Sequence, residues 1–147
     1  MSDGAYPQAP LTYANGRLYG TTPVGGNAEA GTAFRMSADG VVRVLHNFGG
    51  VPDGSAPDGR LIGDFLGNIF GTTVAGGEFD YGTIFRLDDE GTETVLYSFS
   101  GGQDGKGPFG GLVRDKEGDL FGAAAQGGHS CNHGTSTCGT IFMLNPQ

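Results

Sequence analysis

Residues 127–142 read GGHSCNHGTSTCGTIF and hold both cysteines of the chain and two of its three histidines. Two chemistries compete for such a stretch. His129, Cys131 and His133 recur at every second position, so an extended backbone would project all three to one side, and Cys138 could fold back as a fourth ligand. Imidazole and thiolate in a tetrahedron suit Zn2+, although this spacing matches no standard structural zinc module. The simpler chemistry pairs Cys131 with Cys138; closing a loop of about eight residues is worth about 2.5 kcal/mol in chain-entropy terms. A nucleophilic cysteine–histidine pair needs a third group to orient the base, and the sequence supplies none. Alkylation without reductant separates the two main readings, because two modified thiols would argue for the metal.

A second set of candidate ligands is spread along the chain. Asp3, Asp53 and Asp104 open the motifs DGAYP, DGSAP and DGKGP. Three carboxylates related by repetition could bind Ca2+ or another hard cation. Asp-Gly is equally ordinary turn chemistry, in which the aspartate bonds its own backbone. The threonines of the GTT motifs (Thr21, Thr22, Thr72, Thr73) divide the same way: they face a ligand, or they end a strand and satisfy turn groups. The GG pairs at 25–26, 76–77 and 127–128 could cradle an anion, or simply permit the left-handed backbone of a loop.

The elements that position these residues come in threes. LYGTTPVGGNAEAGTAFRM starts at Leu18, IFGTTVAGGEFDYGTIFRL at Ile69, and LFGAAAQGGHSCNHGTSTCGTIFML at Leu120. Gly20, Gly71 and Gly122 are spaced 51 apart, as are Phe48 and Phe99. The third copy carries six extra residues, and they fall in the cysteine–histidine stretch. Repeats therefore span approximately 1–51, 52–102 and 103–147 within one domain. β-branched and aromatic runs separated by NG, ADG, DEG and KEG turns predict four short strands per copy, at 60–64, 68–73, 82–87 and 93–99 in the second. Phe34, Phe85 and Phe142, with Phe48 and Phe99, are the expected core anchors.

Four antiparallel strands and a longer crossover, repeating at about 50 residues, predict an all-β chain of β-propeller blades. The alternative is a β-trefoil, which also has three four-stranded units in about 150 residues. Three blades cannot close a ring, and the third copy lacks its fourth strand. A homodimer closing one six-bladed ring is therefore expected.

Composition narrows the function. Glycine is 30 of 147 residues, about three times ordinary usage, but without a G-X-Y period and with 10% aromatics. The net charge of −8 argues against nucleic acid and anionic membranes as partners. No apolar run is long enough to cross a membrane as a helix, and no secretory signal is visible at the start. No G-x-S-x-G, H-E-x-x-H, P-loop or dinucleotide fingerprint occurs. Tryptophan is absent, so sugar stacking would fall to Tyr6, Tyr13, Tyr19, Tyr81 and Tyr97.

The combination of YGTT-x-x-GG, GT-x-F and DG-x-x-P resembles the bacterial GloVer tandem repeat family over nearly the whole chain. The resemblance implies exported or cell-surface proteins with many repeats, a setting that permits disulfides, and it implies no catalytic residues. The chain departs from the pattern in having three copies and in reading FGAAAQGG where its siblings have GTT. Two functions follow. One is an extracellular or cell-surface binding module whose ligand is a glycan, with Asp53, Asp104 and Asp3 in its crossover loops as ligand residues. The other is a metal-dependent hydrolase of esters, lactones or phosphotriesters, holding Ca or Zn in a propeller channel.

Overall fold

The computed structural model describes residues 3–129 and 138–146. The first repeat forms β1 (Gly4–Ala5), β2 (Thr12–Ala14), β3 (Arg17–Thr22), β4 (Val24–Gly25), β5 (Thr32–Met36) and β6 (Val42–Asn47). The second forms β7 (Gly54–Pro57), β8 (Ile62–Gly63), β9 (Ile69–Gly76), β10 (Thr83–Leu87) and β11 (Glu93–Ser98). The third forms β12 (Lys106–Arg114), β13 (Leu120–Gln126) and β14 (Thr140–Leu144). Every pairing is antiparallel, and no helix occurs among the described residues.

Each repeat makes its own meander. The orders are β2-β3-β5-β6, β7-β9-β10-β11 with β8 also on β9, and β12-β13-β14. β1 pairs with β4 at the far end of the first meander, as β7 pairs with the far end of β9. The leading strand of a unit is thus one long strand, broken in the first two copies and continuous across a register shift in the third. No sheet of the described residues mixes strands from different repeats, so a trefoil barrel does not describe this chain. The four expected strands are present in the second copy, with one correction: the leading strand starts at Gly54, inside the DG-x-x-P motif, because Gly54 and Ser55 pair with Gly76 and Ala75.

The sheets pack face to face along two seams. One buries Tyr19, Ala33, Phe48, Leu61, Ile69, Phe85 and Leu87. The other buries Phe70, Ile84, Phe99, Leu112 and Leu120, with Phe142 and Leu144 against them. These are the same positions one repeat on: Tyr19 becomes Phe70, Phe48 becomes Phe99, Leu61 becomes Leu112. The ring pairs repeat as well, Phe48–Phe85 at 5.0 Å and Phe99–Phe142 at 5.1 Å, both edge-on. Gly71 lies where a Cβ would stand 2.6 Å from both Leu61 and the Phe85 ring, so the seam closes only over glycine. Backbone bonds cross each seam at matching points, Ala56 N to Ala30 O (2.8 Å) and Gly107 N to Tyr81 O (2.9 Å). Arg17 and Arg35 reach across the first seam to Asp89.

Candidate functional site

The repeated polar residues are largely structural. Thr22 and Thr73 are buried; each shares a hydrogen bond with the threonine across the hairpin (Thr32 at 2.9 Å, Thr83 at 2.8 Å), accepts that threonine's N–H, and donates to a carbonyl two residues on. The GG pairs are left-handed but not open cradles. Gly26 N bonds Asp3 O, Gly77 N bonds Asp53 O, and Gly128 N bonds Gly102 O. A Cβ on Gly76 would stand 2.6 Å from Asp53 O, so the pair exists to let the Asp53–Gly54 backbone close over it.

Chemistry collects instead at the rim of the first seam. His46 is the penultimate residue of β6, Asp53 stands just before β7, and Glu93 begins β11. His46 Nε2 lies 3.1 Å from Asp53 Oδ2 and 3.9 Å from Glu93 Oε2. One ligand atom from each residue falls within 4.8 Å of the other two. Docking of the second sheet on the first brings them together, since the turn before β11 packs on Leu45. Asp53 is held by backbone donors, Gly49 N to Oδ2 (2.8 Å) and Gly54 N to Oδ1 (2.5 Å). The His46 ring is set edge-on against Phe48 at 4.8 Å.

The electrostatics of the trio are linked. Burial, and then the Asp53 charge, push the Glu93 carboxyl up to about 7, with His46 partly opposing. Burial alone would raise Asp53, but bonds from His46, Glu93 and the Gly54 N–H hold it below the usual aspartate value. Burial alone would lower His46, but the bond and charge of Asp53 outweigh it and raise the imidazole. Asp53 and Glu93 line a hollow of about 480 Å3 together with Pro52, Glu78, Val95 and Ser98. The trio can hold a cation or pass a proton.

One repeat on, the same place reads differently. Tyr97 replaces His46, and its hydroxyl donates to Asp104 Oδ2 at 3.0 Å. Ser100 N and Oγ donate to the same carboxylate, both at 2.6 Å. Burial would raise Asp104; the Ser100 bonds reverse that and lower it. Asp3, the third aspartate of the DG-x-x-P set, lines a separate hollow of about 460 Å3 with Phe34, Val42 and Val44. The three repeated aspartates therefore do not converge. Asp53 and Asp104 both serve their local turns, and Asp53 adds the histidine and glutamate. His46 and Glu93 escape motif reading. The signal for them is departure from the repeat, since the siblings hold Tyr97 and Val42 there.

A third hollow, about 200 Å3, opens on the other seam. Its walls include Asp80, Tyr81, Lys106, Phe109, Ala125 and Gln126. Phe109 is 53% exposed, and Lys106 Nζ stands 5.3 Å from the centre of the Tyr81 ring. At the first seam the matching positions hold Ala30, Ser55, Asp58 and Ala75 where this one has Tyr81, Lys106, Phe109 and Gln126. Of the cysteine–histidine stretch, His129 is exposed, while Cys131 and His133 lie outside the described residues. Both the Cys131–Cys138 pairing and the zinc set fall there with them.

Among solved structures, the chain resembles one described as a candidate gluconolactonase, a β-propeller, with a TM-score of 0.53 and 21% identity. The likeness covers 93% of this chain and 47% of that one, so the chain spans about half the neighbour's length. At this identity the likeness concerns the fold. Among curated proteins none matches the chain. The sequence does match the Gloeobacter/Verrucomicrobia repeat across residues 1–147, and the protein belongs to that family.

Proposed function

We propose that the chain is a non-catalytic, propeller-type binding module of a secreted or cell-surface protein, and that its ligand is a glycan held in the Tyr81–Phe109 hollow. One observation carries this reading. The skeleton repeats position for position across the two seams, yet the second rim alone acquires two aromatics, a lysine and a glutamine around a monosaccharide-sized space. Apolar walls with a few convergent polar groups are what small-ligand sites require. Aromatic rings favour the C–H face of a sugar, and Asp80, Lys106 and Gln126 supply acceptor and donor groups for its hydroxyls. A glycan array with wild type and Phe109→Ala tests it. Binding should weaken at least tenfold in the variant with its melting temperature unchanged; unchanged binding would defeat the assignment of this hollow.

Hydrolysis is the second reading, favoured by the His46–Asp53–Glu93 cluster. That cluster sits between the trailing strands β6 and β11, away from the leading strands β2, β8 and β12 that approach one another. Turnover of ester or lactone substrates that disappears in His46→Ala would establish it.

The outer faces also support assembly. Leu11 is 45% exposed where Leu61 and Leu112 are buried, and Ile141 is 85% exposed where Ala33 and Ile84 are buried. Each face is half of a seam. A second copy supplying the other half would make a two-chain, six-bladed ring. Light scattering on wild type and Ile141→Asp reads this directly: a dimer that falls apart in the variant supports it, and a monomer at micromolar concentration overturns it.

A further inference from the structure

We propose that His46, Asp53 and Glu93 form a divalent metal site of the zinc class, which ties the first sheet to the second. The spacing fits. Ligands about 2.0–2.1 Å from a tetrahedral ion stand about 3.3 Å apart. His46 Nε2 to Asp53 Oδ2 is 3.1 Å and His46 Nε2 to Glu93 Oε2 is 3.9 Å, one just below that value and one just above. Three protein ligands, two of which (Asp53 and Glu93) line an open hollow, also match the coordination of a zinc ion that keeps one position for water.

The supports are in place before any ion arrives. Gly49 N and Gly54 N fix the Asp53 carboxylate, and Phe48 fixes the plane of the imidazole. Such outer contacts decide whether ligands are aimed correctly. An independent observation points to an absent partner: Glu93 Oε1 is buried with no hydrogen bond, on a side chain only 11% exposed. A buried carboxyl oxygen without a hydrogen-bond donor is costly, and a cation relieves the cost. The donor set of one imidazole and two carboxylates favours zinc, manganese, nickel or copper over calcium and magnesium, which prefer oxygen alone. The matching place one repeat on has a phenol for the imidazole and is a built-in control. This inference is independent of the glycan hollow, which shares none of its residues.

Titration calorimetry of the metal-free full chain with ZnCl2 tests the proposal, with cobalt(II) absorption as a second readout. The expected result is one tight site per chain, a raised melting temperature on loading, and a cobalt spectrum without a thiolate charge-transfer band. Glu93→Gln and His46→Ala should each weaken binding more than about tenfold, and Asp104→Asn should leave it unchanged. Glu93→Gln keeps the side chain's shape, so it remains informative if His46→Ala misfolds. A thiolate band, or zinc affinity indifferent to Glu93→Gln, would overturn the assignment and move the metal to the cysteine–histidine stretch. No zinc binding at all would overturn it outright.

Discussion

The two seams share a core and differ at the rim. Phe48 against Phe85 and Phe99 against Phe142 are the same contact made twice. Above that contact, His46 and Glu93 crowd Asp53 at the first seam, whereas Tyr97 and Ser100 satisfy Asp104 at the second. Core positions are constrained by volume on both sides, so a repeat that docks on its neighbour must keep them. Rim positions carry no such constraint and are free to acquire chemistry. In a repeat protein, function is therefore best sought where copies disagree on a shared scaffold.

The largest effects should test the sameness of the seams. Phe48→Ala and Phe99→Ala each empty a fully buried ring and should cost about 3–5 kcal/mol in urea unfolding. If one costs far more than the other, the two cores are not energetic equivalents. Next comes the threonine latch. Thr73→Val keeps the shape but strands the Thr83 N–H and hydroxyl, and should cost about 1–3 kcal/mol.

The rims should then part company. In metal-free protein the folded Glu93 carboxyl lies near 7, above its ordinary 4.5. The stabilisation from protonated Glu93 is full below about 4.5 and is lost as pH rises through about 7. Asp53, whose shift is downward, acts the other way and only at acid pH. Glu93→Gln should therefore be more favourable relative to wild type at pH 8 than at pH 5, by on the order of 1 kcal/mol after allowing for solvent screening. A constant difference between those pH values would show that neither burial nor the Asp53 charge raises the Glu93 carboxyl. The smallest effect belongs to the second rim. Asp104→Ala leaves exposed donors that turn to water, and should move stability by less than about 0.5 kcal/mol. A loss like that of the threonine latch would mean the Asp104 turn carries the second seam as well.

Much of this architecture was legible in the residues alone. The 51-residue register marks equivalent core positions before any contact is seen, because a repeated unit must offer its neighbour the same apolar face. Alternating β-branched runs between Asn-Gly-type turns determine antiparallel meanders, since side-chain period and turn chemistry are local properties. The role of the GTT and GG motifs as strand ends and left-handed turns follows from the same local rules. Tertiary structure alone decided the rest. His46 and Glu93 lie 47 residues apart on trailing strands of different sheets, and they meet only because one sheet docks on the next. Asp53 reads in sequence as one of three equal DG-x-x-P aspartates; the docked neighbour makes it unlike Asp104. Covalent order specifies what each repeat is, and burial at the seams, a sum over many non-local contacts, specifies which side chains are left facing one another.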